Sequence, residues 1–332
     1  MLPRELAEQR EHAFLSPRAT FADKSIGRAR PEPECDVRTA FQRDRDRIIH
    51  CEAFRRLKHK TQVFLSPRGD HYRTRLTHTL EVSQIARTIA CALLLNENLT
   101  EAIALGHDLG HTPFGHAGER ALNEVSAAGF KHYRQSRRVC ESIEKAGQGL
   151  NLCEETLNGI ERHTGGENAK TPEGQIVRLA DKIAYINHDI EDAIAAGVMT
   201  EEDIPIELRE ALGHSKSARI NTMVCSAISN SAQGEIGLAP QIREPFELLH
   251  GFMFDMVYTN PVCKSEETKA IDLVQALYRH FLKHIEQLPT LYRKCAQDEG
   301  EERAVCDYIA GMTDRYAVRL FNELFVPKDW KI

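Results

Sequence analysis

Residues 106–116 read GHDLGHTPFGH, a stretch with three histidines, three glycines and one aspartate in eleven positions. The segment before it, NLTEAIAL (98–105), has the apolar spacing of an amphipathic helix, with Thr100 as its predicted N-cap. Pro113 and Gly115 then interrupt the helical pattern, because proline lacks a backbone donor and glycine adopts conformations that other residues avoid. We therefore expect a polar, histidine-rich turn at the end of a helix.

Helical periodicity continues on both sides of this turn. Apolar residues recur every three or four positions over 76–93 and again over 176–194, where Gly197 is a predicted C-terminal glycine. Residues 38–64 have a similar spacing, whereas the prolines within residues 1–36 suggest a loop with short helical pieces. Strand signals are sparse, so the predicted fold class is all-α.

The composition is typical of a globular chain in a reducing compartment. Of its 332 residues, 42% are hydrophobic, which is enough for a large core. Nine cysteines are scattered without a C-x-x-C pair, so we expect neither a disulfide framework nor a thiolate zinc site. The charged N-terminus does not resemble a signal peptide, and no apolar run approaches about 18 residues. We therefore expect a cytoplasmic protein without a membrane span.

Charge is distributed unevenly along the chain. The net charge is −6, yet residues 1–75 hold 17 Lys and Arg against 11 Asp and Glu, which leaves open a local anionic partner or a solvated face. Between residues 43 and 56 the arginines alternate with acidic residues, which favours an ion-pair network over a phosphate-binding groove. Because few aromatic residues interleave with this run, single-stranded nucleic acid is a partner class that the sequence allows but does not support.

His107 and Asp108 are adjacent, and His78 and Asp181 lie centrally in the two flanking helical patterns. Imidazoles and carboxylates together suit a first-row divalent cation, and neighbours about 100° apart on a helix can both reach an ion between them. Taken singly, His78 is also typical of a hydrogen-bonded core residue and Asp181 of a surface charge. Together the four predict a metal site with coordination positions left for water and substrate.

The identity of the cation stays open on the sequence. Two imidazoles favour Mn²⁺, Co²⁺, Ni²⁺, Fe²⁺ or Zn²⁺ by affinity, whereas Mg²⁺ is abundant but prefers oxygen ligands.

Seven blocks extend the pattern over almost the whole chain: RTAFQRDRDRIIHCEAFRRLKHKTQVF (38–64), RTRLTHTLEV (73–82), GHDLGHTPFGHAGE (106–119), FKHYRQS (130–136), RLADKIAYINHDIED (178–192), VYTNPV (257–262) and DYIAGMTDRYA (307–317). With the H…HD…D ligand set, they resemble the HD-domain phosphohydrolases, and among them the dGTPase-like deoxynucleoside triphosphate triphosphohydrolases. The resemblance implies an all-α HD fold with additional N- and C-terminal helices. It implies an N-terminal extended or loop segment (1–37), an HD catalytic core (38–200) and a C-terminal helical region packed on it (201–332), in a single structural unit.

The resemblance also implies an activity, the hydrolysis of a dNTP to deoxynucleoside and inorganic triphosphate with a divalent cation. His116 and Glu119 match the catalytic pair of the family. Their i, i+3 spacing would let Glu119 orient the imidazole if the backbone is helical, and His116 would serve as general acid or base. The other interpretation of His116 is a hydrogen-bonding residue of a loop.

Further positions match the substrate contacts of the family. Those expected at the phosphates are Arg75, His111, His132 and Lys182, and those expected at the deoxyribose are Gln62, Tyr185 and Asp189. An aromatic ring packed against the sugar would exclude a ribose 2′-hydroxyl. Surface salt bridges for the two cations and core packing for the tyrosine are the alternative interpretations.

Two other functions remain to be weighed against this one. The first is a different HD phosphohydrolase activity, either 5′-nucleotidase or phosphodiesterase, and the second is a non-catalytic nucleotide-sensing protein. The presence of all four metal ligands together with His116 and Glu119 favours an enzyme. The resemblance further implies a homo-oligomer and leaves open a dNTP effector, while the base preference, dGTP or several dNTPs, is not readable.

Overall fold

The described residues fold into α-helices, and the connections between these helices include short turns and the long segment 15–39, which holds one 3₁₀ turn (Ala22–Lys24). The computed structural model describes residues 1–62, 73–232, 234–258 and 261–328, with the backbone alone at 258 and 261–265. The α-helices are α1 (Pro3–Phe14), α2 (Ala40–Ile49), α3 (Glu52–Arg56), α4 (Arg75–Ala92), α5 (Glu97–Gly106), α6 (Gly115–Val125), α7 (His132–Arg138), α8 (Glu144–Gly147), α9 (Glu154–Arg162), α10 (Pro172–Ala195), α11 (Ile206–Leu212), α12 (Lys216–Ser231), α13 (Pro240–Met253), α14 (Pro261–Lys283), α15 (Thr290–Glu299), α16 (Glu301–Ala310) and α17 (Asp314–Phe325). No strand occurs within the described ranges, so the all-α prediction is confirmed.

The centre of the molecule is a bundle in which α4, α5 and α10 pack against one another, with α2 and α9 alongside. Aliphatic side chains such as Ile85, Ile103 and Ile183 fill this bundle and are almost completely buried. Each such side chain stabilises the fold by about 1.5–3 kcal/mol relative to exposure. Because α4 and α10 carry predicted ligands and α5 leads directly into two more, the packing fixes the positions from which these side chains project.

Two helix ends were predicted from the sequence, and the structure confirms one of these predictions. Asn96 caps α5 by accepting from the backbone of Asn98 and Leu99 at 3.1 and 3.2 Å, so the prediction of Thr100 as the N-cap was wrong. Thr100 lies one turn inside the helix, where its hydroxyl donates to the Asn96 carbonyl. The prediction of a C-terminal glycine is confirmed, because Gly197 has φ +68° and follows the last turn of α10.

The N-terminal segment is more helical than the sequence suggested. Residues 3–14 form a regular helix in place of the expected loop with short helical pieces, because Pro3 lies in its first turn, where a missing backbone donor has no consequence. The helical pattern over 38–64 is divided into α2, α3 and a 3₁₀ turn (Leu57–His59). Its last two residues, 63 and 64, lie outside the described residues, as do residues 259–260 of the VYTNPV block.

The arginines of α2 form the ion-pair network predicted for this stretch. Arg43 and Arg47 both pair with Glu32, at 3.0 and 2.7 Å. Arg45 pairs with Asp46 at 2.9 Å. These contacts neutralise the basic run within the chain itself, and they confirm the ion-pair interpretation for the three arginines of α2.

The C-terminal helices pack on the bundle in two groups. Helices α11, α12 and α13 extend the apolar core over α10, while α14, α16 and α17 surround α6 in a second core cluster. Helix α6 begins directly after the histidine-rich turn, so the second group supports that turn. Among the helices that the structure describes, none combines the length and the apolar character needed to cross a membrane.

Candidate active site

Four side chains predicted as metal ligands converge beside the histidine-rich turn. His78 lies in the first turns of α4, His107 and Asp108 follow α5, and Asp181 lies in the middle of α10. His78 Nε2 is 3.1 Å from Asp181 Oδ1, and His107 Nε2 is 3.8 Å from the same oxygen. The donor atoms of His78, His107 and Asp108 all lie within 4.8 Å of one another. Three separate segments of the chain thus present nitrogen and oxygen ligands to one point.

The His107 ring is oriented as a metal ligand would be. Its Nδ1 donates to the Ala104 carbonyl at 2.6 Å, so in the neutral ring the lone pair resides on Nε2. This Nε2 is fully buried and has no hydrogen-bond partner among the described residues. A buried polar atom without a partner is unfavourable by itself, whereas a cation beside it would satisfy it.

His78 is oriented by a relay through a second histidine. His188 Nε2 lies 2.8 Å from Glu81 Oε2, and because a carboxylate only accepts, the histidine donates. Burial lowers the pKa of His188 to about 4, so the ring is neutral near pH 7 and its Nδ1 accepts. His78 Nδ1, 3.2 Å away, is then the donor, so in the neutral ring of His78 the lone pair lies on Nε2, which faces Asp181. Relays of this kind hold metal-ligating imidazoles in position.

The two carboxylates of the cluster are held in their ionised form. Burial by itself would raise the pKa of Asp108, but Arg75, whose Nη1 is 2.5 Å from Asp108 Oδ2, and the nearby histidines outweigh it and lower the pKa well below the usual value. Burial likewise opposes ionisation of Asp181, but the neighbouring imidazoles of His78 and His107 outweigh it and lower its pKa below the usual range. One buried carboxylate, one half-buried carboxylate and two imidazoles form a donor set that fits a first-row divalent cation.

A second group of side chains lies across the same cavity, organised by Glu119. Its Oε2 accepts from His132 Nδ1 at 2.9 Å and lies 3.4 Å from His116 Nδ1, and its Oε1 accepts from the His132 backbone at 3.2 Å. Although burial opposes it, these hydrogen bonds lower the pKa of Glu119 below its usual range. His116 and Glu119 both belong to α6, so the helical spacing assumed from the sequence is present.

The turn between these two groups depends on an unusual backbone. Phe114 has φ +62° and Gly115 φ +56°, and a Cβ on Gly115 would lie 2.4 Å from the Gln62 carbonyl oxygen. Only glycine tolerates both the left-handed conformation and the close approach without strain. Asp314, from α17, accepts from the Phe114 backbone at 3.0 Å and thereby fixes the turn from the C-terminal region.

One cavity of about 280 Å³ joins the two groups. Ten of the predicted site residues line it, namely Gln62, Arg75, His78, Asp108, His111, His116, His132, Asp181, Lys182 and Tyr185. The other three lie directly behind this lining: His107 beside Asp181, Glu119 against His116, and Asp189 against Tyr185. All thirteen predicted residues are therefore brought together in space.

The far wall of the cavity is formed by α10. The Tyr185 hydroxyl donates to the Asp189 carboxylate, and burial raises the pKa of both groups well above their usual values. The Tyr185 ring centre is 6.4 Å from that of His116. Gln62, also buried, has an Oε1 without a hydrogen-bond partner in the part of the chain that the structure describes. This wall therefore presents one aromatic face together with largely buried polar groups.

Sequence reasoning missed three histidines of this region: His163, His188 and His250, the last of which lies in the cavity lining. His188 follows Asp181 by seven residues on the same face of α10, so the spacing could have indicated it. His163 lies in the turn after α9, where no periodicity applies, and it faces His107 with ring centres 4.9 Å apart. Burial lowers the pKa of His163 to about 3.

Comparison with known proteins agrees with this geometry. The HD domain model matches residues 75–186, and the model of the phosphohydrolase-associated domain matches residues 236–323. A deoxyguanosinetriphosphate triphosphohydrolase-like protein of Caldanaerobacter subterraneus subsp. tengcongensis is 54% identical over 331 residues, covering 99% of this chain and 98% of that protein. A protein with the same description from Clostridium perfringens strain SM101 is 51% identical and covers 98% of each chain.

Among solved structures, a hypothetical protein from Aquifex aeolicus is similar with a TM-score of 0.52 and 20% identity, covering 86% of this chain and 68% of that one. This likeness concerns the fold alone. The two relatives that are more than 50% identical match essentially the whole length of the chain, which includes its HD domain. By these relatives, its HD domain and its buried histidine and aspartate cluster, the chain belongs to the deoxyguanosinetriphosphate triphosphohydrolase-like family of HD phosphohydrolases.

Proposed function

We propose that the chain hydrolyses dNTPs, dGTP or several of them, to deoxynucleoside and inorganic triphosphate. The observation that carries the proposal is that one cavity holds both a buried ligand set for a divalent cation and, across from it, the His116–Glu119 pair. The relatives bear the name of such an activity in their descriptions. Hydrolysis at the α-phosphorus requires charge neutralisation, an aligned water and a proton for the leaving oxygen.

Charge neutralisation would come from three kinds of group. A dNTP carries about four negative charges near neutral pH. Arg75 is buried at the cavity wall and Lys182 lies exposed at its rim, so both can reach phosphate oxygens from different sides. His111 and His132 add ring donors between them. Arginine makes planar two-point contacts with phosphate oxygens, while lysine acts as a compact charge.

The cation would be held by His78, His107, Asp108 and Asp181, whose donor set fits it. When bound, a divalent cation supplies Lewis-acid stabilisation of charge on an α-phosphate oxygen. The contacts that favour the ionised forms of Asp108 and Asp181, and the hydrogen bond from His107 Nδ1 to the Ala104 carbonyl, support this assignment.

His116 would hold the proton that the reaction needs. Water attacks the α-phosphorus, the bond from phosphorus to O5′ breaks, and the departing O5′ takes a proton from the His116 ring. The proton that the water loses as its oxygen joins phosphorus passes to solvent, from which the ring regains a proton. Glu119 contacts Nδ1, which leaves Nε2 for the substrate. About half of the His116 side chain is exposed, so the ring is accessible from the cavity.

Selection of the deoxyribose would depend on Tyr185. Its ring is held in place by the hydrogen bond between its hydroxyl and Asp189 on the next turn of α10. A ring so fixed leaves no space for a 2′-hydroxyl on a sugar packed against it. Asp189 and Gln62 are the polar groups in reach of the 3′-hydroxyl.

The proposal is tested by product analysis of cation-loaded protein with each dNTP and each NTP. We expect deoxynucleoside and inorganic triphosphate in equal amounts from dNTPs and little product from NTPs. Orthophosphate or pyrophosphate as product would instead assign a different HD phosphohydrolase activity.

Within the same assay, His116→Gln should lower kcat by about 10²–10⁴-fold, as expected for loss of a general acid, with KM little changed. The matched control is His250→Gln, which alters another histidine of the cavity lining that has no part in the proposed reaction. Equal kcat values for the two variants would remove His116 from the mechanism.

A further inference from the structure

A larger cavity, of about 810 Å³, lies between α14 and α17 and has no part in the proposed function. Its volume falls within the range of about 300–1,000 Å³ that is typical of small-molecule sites. Phe114, the residue before α6, belongs to its lining. A molecule bound in this cavity would therefore contact the histidine-rich turn.

The apolar part of the lining is largely aliphatic. It includes Leu273 of α14, Val318 of α17 and Val326, which follows α17. The two valines are 41% and 48% exposed, and an apolar molecule that covers them removes this surface from water. Among the lining residues that the structure describes, Phe114 is the only aromatic one, and it is buried. The cavity therefore offers an aliphatic wall and no exposed ring on which a nucleobase would stack.

Four cationic side chains also line the cavity, and two of them are paired with acidic residues of the same lining. Lys269 Nζ is 2.6 Å from Glu266 Oε1, and Arg319 Nε is 3.8 Å from Glu323 Oε1. These two pairs neutralise each other's charge within the protein itself.

The other two cations, Arg315 and Lys328, are exposed and have no acidic partner among the described residues. The adjacent carboxylate of Asp314 is directed away from them, since it accepts from the Thr61 backbone and hydroxyl and from the Phe114 backbone. Two unpaired cations beside an aliphatic wall are complementary to a molecule that has an anionic end and an apolar chain.

We propose that the larger cavity binds a free aliphatic carboxylate, with its chain against the aliphatic wall and its carboxylate at Arg315 and Lys328. An inorganic anion would leave the exposed valines uncovered, and a neutral hydrocarbon would leave the two cations without a partner. A carboxylate with an alkyl chain satisfies both parts of the lining.

The experiment measures binding of straight-chain carboxylates to the full-length chain by isothermal titration calorimetry. We expect one decanoate per chain and about 15-fold weaker binding of octanoate, because each buried CH₂ contributes about fourfold in affinity. Decylammonium, which has the same chain length and the opposite charge, should show no saturable binding. The proposal is overturned by absence of saturable decanoate binding, by equal affinities for the two carboxylates, or by comparable binding of decylammonium.

Two variants locate the bound carboxylate. Val318→Asp places a negative charge on the aliphatic wall and should abolish decanoate binding, while Arg315→Gln should weaken it by about 3–10-fold. The matched control is Arg293→Gln, which alters an exposed arginine of α15 outside the cavity lining and should bind decanoate as the wild type does. Wild-type affinity in Val318→Asp would overturn the proposal. The series of ligands on the wild-type chain decides the question even if a variant fails to fold.

The rival occupant of the cavity is a second copy of this chain seated on the exposed valines. A dimer closed over the cavity would exclude decanoate, so the affinity would fall as the protein concentration rises. We expect the same affinity over about a tenfold range of protein concentration, and a falling affinity would overturn the proposal. Because neither nucleotide nor divalent cation is present, these results are separate from those that test the proposed function.

Discussion

Two cavities border the histidine-rich turn, and they differ in size and in chemistry. The larger, of about 810 Å³, lies between α14 and α17 and is lined by aliphatic carbons and by exposed charged side chains such as Lys269 and Arg319. The smaller, of about 280 Å³, is lined by histidines and carboxylates, most of which are buried or half-buried and several of which are hydrogen-bonded to one another. A buried cluster of titratable groups is unfavourable for folding alone, so donor chemistry rather than volume identifies the reactive site.

Asp314 connects the larger cavity to the histidine-rich turn. It lines the larger cavity, and its carboxylate accepts from the Phe114 backbone and from the backbone and hydroxyl of Thr61. The larger cavity therefore borders a structural support of the turn, while the smaller one holds the groups that would react. We therefore expect substitutions in the smaller cavity to lower the rate of hydrolysis, and substitutions in the larger cavity to change stability or to have little effect.

The largest effect is expected at the metal ligands. His107→Ala removes the unpartnered Nε2 from the cluster, and loss of the cation's several kcal/mol of stabilisation should lower dNTP hydrolysis by about 1,000-fold or more. The matched control, Asn322→Ala in the larger cavity, should leave the rate within about twofold. Steady-state rates and Mn²⁺ content measure both variants. A rate loss at residue 322 as large as that at 107 would abolish the distinction between the two cavities.

The next largest effect, on the free energy of unfolding, is expected at Asp314. Asp314→Ala leaves three buried donors without an acceptor, so the free energy of unfolding should fall by about 3–5 kcal/mol. Asp314→Asn keeps one carbonyl acceptor and should lose less. Urea unfolding measures both. If Asp314→Ala unfolds at the same urea concentration as the wild type, the carboxylate does not support the turn.

A smaller effect, on the pH dependence of the free energy of unfolding, is expected from Lys60. This buried amine donates to the His111 and Ala310 carbonyls, and burial lowers its pKa to about 7. Above that pH this amine is still protonated in the unfolded chain but is neutral in the folded chain. Stability should therefore rise with pH from about 7 toward 10, by at most about 1.4 kcal/mol per unit.

Lys60→Met should remove this contribution, which is visible as a flatter dependence of the unfolding free energy between pH 7 and 9. The exposed Lys269, in the lining of the larger cavity, provides the control, and Lys269→Met should retain the wild-type slope. Parallel curves for the wild type and Lys60→Met would show that the buried amine does not titrate in this range.

The reactive cavity was predictable from the sequence to an unusual degree. His78 and Asp181 were not informative singly, but their central places in the two helical patterns that flank the adjacent His107 and Asp108 related all four, and the helical spacing related His116 to Glu119. The place of His163 in the cavity lining could not be predicted, because the turn after α9 reaches the cavity through the packing of α9 on α5, α7 and α10.

A helix end could be predicted where a single residue suits it, but not where two neighbouring residues suit it equally well. Gly197 ends α10 by its left-handed backbone, a property of glycine itself. Asn96 and Thr100 are both good caps, and the choice between them depends on contacts of Asn96 with Glu173 and Thr20, which are distant in sequence. Support of the turn by Asp314 depends on long-range packing in the same way.

The smaller cavity is proposed to direct water to the α-phosphorus of a dNTP. Hydrolysis in ¹⁸O-labelled water, followed by mass spectrometry of both products, shows which atom the water oxygen joins. We expect one ¹⁸O atom in the inorganic triphosphate and none in the deoxynucleoside, because phosphorus gains the water oxygen and O5′ stays with the sugar. Label in the deoxynucleoside, or label found in orthophosphate or pyrophosphate, would contradict it.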